Sequence, residues 1–258
     1  MRVRWTMREV VGRDARWTRP QNLDDCLAAS DHDGRMPLAN IWPVLGINIR
    51  TPAVELFVPD QETLEALARL AAHGIYDPQN QYLSRTPVGG WEDVESPEAE
   101  RRFLRYYWAA FADWRPERWN LMLGARVDGR IVGVQEIGAQ HFAVTRTVST
   151  GSWVGRRFQG AGHGKAMREA VLHLAFDGMG AERADTAAWI TNHASLNVSR
   201  AMGYKDNGTT TRAAEGKRVE QVNMTLRRSD WRPSSEDCTI TGLSQDAFDM
   251  LGLTGRSA

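Results

Sequence analysis

The stretch Trp153–Lys165 limits this chain more than any other, because Gly160, Gly162 and Gly164 alternate there between a strand pattern and a helix pattern. Glycine at such a junction lets the backbone approach a ligand closely and adopt left-handed turns. The helix that follows offers N–H groups without carbonyl partners and the positive end of its dipole. Together these make an anion site suited to phosphate, to which Arg156, Arg157 and Lys165 add local positive charge. A strand-to-helix turn using glycine only for packing is the simpler alternative. Three alternate glycines beside three basic residues weigh against it.

Spacing excludes two common phosphate loops. A P-loop has four residues between its glycine and the Gly-Lys pair, followed by Ser or Thr. Here Gly160 and Gly164 enclose three, and Ala166 follows the lysine. The dinucleotide fingerprint reads G-x-G-x-x-G in a first βαβ unit, whereas this loop reads G-x-G-x-G and comes after antiparallel hairpins. A short loop suited to one pyrophosphate remains.

A local site is what the composition requires. Lys+Arg and Asp+Glu both number 32 in 258 residues, which excludes nucleic-acid binding driven by bulk charge. With 42% hydrophobic residues the chain can bury a substantial core. Cys26 and Cys238 stand far apart and outside any C-x-x-C pattern, which excludes a disulfide framework or cysteine zinc cluster and fits a reducing cytoplasm. No histidine pair has metal-ligand spacing with an acidic partner, so no metal is expected. The longest uncharged apolar stretch, Leu38 to Ile49, holds Pro43 and Gly46. It falls short of the ~20 residues a membrane helix needs. Without a secretory apolar region either, a cytoplasmic protein with no membrane and no nucleic-acid partner is expected.

Residues 1–39, rich in Arg and acidic residues with no apolar period, read as a mobile leader. Met36 is a candidate natural start, which an intact mass retaining residues 1–35 would disprove. Residues 40–228 read as one domain and 229–258 as a C-terminal tail with a short helix. Within the domain, strands are expected at Ile41–Arg50 and Val54–Val58, and a helix capped by Asp60 and ended by Gly74. A long loop spans 75–97, and a helix then carries Phe103, Tyr107, Phe111 and Trp114. The Asp128-Gly129 turn joins Leu121–Val127 to Ile131–Ile137. Thr147–Val154 and Arg183–Ile190 are strands, Lys165–Phe176 and Asn192–Met202 helices, and Val219–Leu226 a further strand. Antiparallel hairpins followed by a strand–helix–strand crossover define a mixed α/β (α+β) fold.

At this point the sequence resembles a family. Gln159-x-x-Gly162-x-Gly164 is similar to the acyl-CoA loop of the GNAT superfamily, Q/R-x-x-G-x-G/A. Downstream, Asn192-x-x-Ser195 and Ala201-Met202-Gly203-Tyr204 resemble its N-x-x-S and K-L-G-F/Y segments. From about 44 to 228 the chain looks like the branch containing ribosomal-protein N-terminal acetyltransferases. The resemblance implies a mixed, mostly antiparallel sheet flanked by helices, with the fourth and fifth strands splayed apart. It implies acetyl-CoA as co-substrate, its pantetheine paired with backbone at Trp153, Val154 and Gly155. The pyrophosphate would be cradled by Gln159, Gly160, Ala161, Gly162, His163, Gly164 and Lys165, with Arg157 beside it. Asn192 and Ser195 would face the thioester end.

Acyl transfer from an activated thioester needs the amine positioned and deprotonated, the oxyanion stabilised and the thiolate accommodated. Direct attack in a ternary complex is therefore expected. Cys26 in the leader and Cys238 in the tail are poorly placed for a covalent intermediate. Related enzymes often carry a glutamate on the fourth strand, where Ser149 stands here. Glu136, in an otherwise apolar strand where burial would raise its pKa, and His141 are the candidate bases; a surface or ion-paired strand residue is the alternative for Glu136. A tyrosine that many members place four residues before the helix-ending glycine is Ser199 here. Ser195 is the remaining candidate to hydrogen-bond the thiolate, with helix capping as its alternative role.

The acceptor, a small-molecule amine or a peptide N-terminus, would enter opposite CoA, past Trp91, Tyr107, Trp108, Thr150, Ser152 and Trp189. Two rival functions are a catalytically degenerate module that senses acyl-CoA and a nucleotide-phosphate-binding domain. A homodimer could form on an exposed apolar strand or the tail helix.

Overall fold

The computed structural model describes residues 38–75, 94–214 and 217–253. Strands in chain order are β1 (Asn48–Arg50), β2 (Glu55–Phe57), β3 (Arg118–Val127), β4 (Arg130–Gln140), β5 (Thr147–Val154), β6 (Arg183–Trp189), β7 (Lys205–Ala214), β8 (Lys217–Arg227) and β9 (Thr239–Thr241). Helices are α1 (Gln61–Ala72), α2 (Glu98–Ala112), the single turn α3 (Phe142–Thr145), α4 (His163–His173), α5 (His193–Ala201) and α6 (Gln245–Met250). The chain divides into two units between Ile41 and Trp42. Of the first, only Leu38–Ile41 lies among the described residues, with a 3-10 turn at Leu38–Asn40. The rest of the expected leader, Met36 and most of the expected 75–97 loop lie outside them.

Local chemistry sets the connections. Asp128 and Gly129 take φ of 47° and 74°, the mirror-image turn whose twist matches a two-residue hairpin, so β3 and β4 pair antiparallel along their whole length. Asp60 caps α1 by accepting from Thr63 N at 2.8 Å, as its position predicts. The sheet runs β7-β8-β6-β5-β4-β3-β2-β1-β9. Every pair is antiparallel except β5–β6, whose register covers only Thr147–Ser149 against Arg183–Asp185. Both strands continue beyond it and part, the splayed centre that the resemblance implies. The last links across are Thr186 Oγ1 to Thr150 O (2.9 Å) and Thr150 Oγ1 to Asp185 O (3.4 Å).

Helices cover both faces. On one, Met167, Val171, Leu174 and Ala175 of α4 and the π-helical turn Leu174–Gly178 are fully buried, as their helical spacing predicts. On the other, Leu67 and Ala71 of α1 and Phe103 and Tyr107 of α2 pack on Met122, Val134 and Trp153. Burial of each large apolar side chain contributes about 1.5–3 kcal/mol.

Three segments differ from expectation. Within Ile41–Arg50, Pro43–Gly46 is a 3-10 turn and only Asn48–Arg50 pairs as a strand, because Pro43 fixes φ and has no N–H for a ladder. β7 has no counterpart in the sequence reading; Gly208 and a register break between Asp206 and Thr209 interrupt its period. Beyond the short helix expected there, the segment after 228 supplies β9, which pairs with β1. Trp231, Ala247 and Leu251 of that segment are buried in the main core.

Candidate active site

A groove of about 420 Å³ opens where β5 and β6 part, lined by Ile75, Ser152–Val154, Phe158, the glycine loop, Arg168 and the first turns of α5. Gly160 and Gly162 adopt φ of 80° and 83°, and a Cβ on either would meet nothing within 4 Å. Such φ values favour glycine, and the space over both positions is open. The N–H groups of Gly160, Ala161 and Gly162 make no hydrogen bond among the described residues. Gly162 is the N-cap of α4, so loop amides and helix dipole converge there. An anion of phosphate size fits this donor set.

The residues expected at the cofactor fall into distinct roles. Gly160, Gly162, His163, Gly164 and Lys165 line the groove with Gln159, Trp153 and Val154. The Gln159 side chain, however, donates to Val154 O (2.8 Å) and Ile75 O (2.5 Å), so it braces the loop. Gly155 is a packing glycine: a Cβ there would lie 2.5 Å from Leu70 Cδ1. Ala161 is exposed beside the groove. Arg157 stacks on Phe158 (4.7 Å) and lines a neighbouring cavity of about 560 Å³. Arg156 reaches His73 O (3.4 Å) at the end of α1. Of the three basic residues flanking the loop, Lys165 alone lines the groove.

Asn192 caps α5 by accepting from Ser195 N at 3.0 Å. Capping thus falls to Asn192, and the Ser195 side chain is left at the groove wall. One turn on, Ser199 Oγ donates to Ser195 O (3.1 Å) and lies 3.4 Å from Arg168 Nη1. Arg168 is a site residue that the sequence reading missed. Its signal was a charge three residues before Val171 and seven before Ala175, on the apolar face of α4.

A second cavity, about 640 Å³, is lined by Tyr106 and Asp113, by Trp119 and Asn120 of β3, by Glu136, and by Ser149 and Asp185. Ser149 and Ser152 stand three apart on β5 and so face opposite sides of the sheet, one at each cavity. Glu136 is half-buried at the wall, where Tyr106 Oη donates at 3.0 Å and Asn120 Nδ2 at 3.2 Å. Desolvation by the surrounding protein raises its pKa against the opposing effect of those two donors. Burial, and next the Glu136 charge, raise the Tyr106 hydroxyl. No cation pairs with Glu136 among the described residues, so its carboxylate is available to accept a proton.

The residues expected along the acceptor path do not come together in one cavity. Tyr107 is core, 5.1 Å from the Phe111 ring, and Trp108 is exposed on α2. Thr150 faces Tyr204 Oη (3.1 Å), Ser152 belongs to the first groove, and Trp189 lines neither cavity. Trp91 lies outside the described residues. His141 sits at an exposed left-handed turn (φ 50°). Tyr106, Trp119 and Asn120 line the second cavity instead.

Among the described residues no cluster of three or more His, Cys, Asp or Glu could hold a metal, and no helix is long and apolar enough to cross a membrane. The model of the acetyltransferase (GNAT) domain matches residues 59–205. Similar solved structures include Mycobacterium smegmatis RimJ in complex with CoA-disulfide, with a TM-score of 0.60 and 21% identity, covering 73% of this chain and 89% of that one. RimL, a ribosomal L7/L12 alpha-N-protein acetyltransferase in complex with coenzyme A, has a TM-score of 0.53 and 16% identity, covering 69% and 95%. The microcin C7 self immunity acetyltransferase MccE, in complex with acetyl-CoA and AMP, has a TM-score of 0.54 and 17% identity, covering 69% and 93%. At these identities the likeness is one of fold.

Proposed function

Because this chain belongs to the GNAT acetyltransferase family, we propose that it moves an acetyl or other short acyl group from acyl-CoA to a primary amine by direct attack in a ternary complex. The observation that carries this reading is the pair of cavities on opposite sheet faces, one at the phosphate cradle and one at Glu136, lined from the same strand β5. In the first, the loop amides and the start of α4 bind pyrophosphate, and backbone at Trp153 and Val154 holds the pantetheine amides. Bound acyl-CoA supplies the activated carbonyl. Asn192 and Ser195 face its thioester, and Ser195 offers the departing sulfur a hydrogen bond. From the second cavity the amine approaches, and Glu136 takes its proton, oriented by Tyr106 and Asn120.

A cavity of about 640 Å³ accommodates a small amine or the first residues of a peptide. Among the similar structures, RimL is a protein alpha-N acetyltransferase and MccE a microcin C7 self immunity acetyltransferase. The test is release of free thiol from acetyl-CoA with a panel of amines and peptides, beside calorimetric CoA binding. Gly162→Glu fills the cradle with a carboxylate and is expected to abolish CoA binding while the circular dichroism stays unchanged. CoA binding without thiol release from any acceptor would make the protein an acyl-CoA sensor. Tight ATP binding without CoA binding would overturn the reading altogether.

A further inference from the structure

Arg168 is 2% exposed, yet no carboxylate pairs with it among the described residues. Its partners are all neutral: Ser199 Oγ at 3.4 Å, Ser152 Oγ at 3.5 Å and Tyr204, whose ring centroid lies 5.8 Å away and whose hydroxyl it also meets. Its Nε is buried without a partner. A buried cation is costly unless an anion compensates it, and this one lines the groove, so a ligand can supply that anion. Arg168 lies about 7.5 Å along α4 from its first residue, away from the loop that receives the phosphates. Along β5 the assignments above run from phosphate at the loop to pantetheine at Val154 and Trp153. The next residue, Ser152, is the one Arg168 contacts. Ser199, its other partner, stands where the family resemblance places a tyrosine.

We infer that Arg168 is the electrostatic partner of the CoA sulfur and holds it as the thiolate that leaves in acyl transfer. The inference rests on the proposed acyl-CoA reading of the groove. The amine lone pair forms the C–N bond, the C–S pair departs on sulfur, and the amine proton passes to Glu136. The thiolate stays paired with Arg168 until water protonates it on release. A guanidinium fixed in place before charge develops needs no reorganisation when the sulfur leaves, and it removes the need for a proton donor where Ser199 replaces tyrosine.

The other charged or titratable groups facing this region are Tyr204, kept neutral by burial, His163 and Lys165 at the loop, Asp185, paired with Arg183 at 3.0 Å, and Glu136 on the opposite face. Desulfo-CoA keeps the phosphates and lacks the thiol, so it cancels their contributions. In the wild-type protein, the thiolate absorbance of bound CoA is expected to titrate about one to three pH units below that of free CoA. CoA affinity should rise about ten- to a thousandfold as pH climbs through that window, with desulfo-CoA unchanged. Arg168→Lys should keep most of the shift and Arg168→Met should abolish it. A bound thiol that titrates like free CoA, or parallel pH curves for the two ligands, overturns the inference while leaving the acyl-CoA reading intact. If neither ligand binds, that reading falls and takes this one with it.

Discussion

As the proposed base, Glu136 trades stability for chemistry. Burial raises its pKa, so the folded state retains a proton that the unfolded chain releases near the ordinary value of 4.5. Between that pH and the folded pKa the folded state binds more protons, and stability falls as pH rises. In the proposed reading activity moves the opposite way, because only the ionised carboxylate accepts the amine proton. Glu136→Gln should therefore lower kcat by about 10²–10⁴-fold with little change in CoA affinity. It should also melt higher than wild type at neutral pH, a difference that vanishes near pH 4 in a pH series of thermal melts. Loss of activity with an equal loss of stability at every pH would mark Glu136 as a structural residue. The carboxylate was legible as a charge in an apolar strand. Its donors were not, because Tyr106 lies 30 residues before it and Asn120 16, and only helix packing and strand register bring them together.

Local order made two elements readable and one misleading. The loop and α5 were legible because their signals lie in contiguous residues: alternating glycines before a helix, and a cap residue three before its donor. The basic residues around the loop misled, since charge in sequence says nothing about direction, and Arg156 and Arg157 turn away. Asn192 caps α5 through its Oδ1 and lines the groove; in the proposed reading its Nδ2 also serves the ligand. Asn192→Asp keeps the cap acceptor and removes the donor. Its stability to urea should stay within about 0.5 kcal/mol of wild type, while CoA binds about tenfold more weakly, the loss of about one hydrogen bond. Asn192→Ala loses both and should unfold about 1 kcal/mol more easily. Unchanged CoA affinity in Asn192→Asp would reduce Asn192 to a cap.

At the scale of the whole molecule, the segment after Arg228 resisted reading because its apolar residues are few and scattered, with no period to reveal a strand. Its value lies in contacts with residues far away in the chain. Leu251 O accepts from Trp119 Nε1 and Met250 O from Trp114 Nε1, both at 2.9 Å, while Trp231 packs against His173 and Phe176 at 4.7 and 5.1 Å. Removing residues 229–258 leaves two indole N–H groups unpaired, at about 1–3 kcal/mol each, and exposes the core surface under Trp231, Ala247 and Leu251. Burial of the larger two, Trp231 and Leu251, is worth about 1.5–3 kcal/mol each. The sum approaches the whole ~5–15 kcal/mol stability of a domain. A chain ending at Arg228 is therefore expected to be insoluble or to lose its cooperative melt. The effect reaches the candidate site, because Trp119 lines the second cavity, the one proposed for the acceptor, and its indole N–H is bound from this segment. A milder variant isolates that link. Trp119→Phe removes the N–H and keeps most of the ring, so it should raise KM for the amine more than it lowers kcat. An amine KM unchanged in Trp119→Phe would detach the segment from acceptor binding and leave it a purely structural clasp.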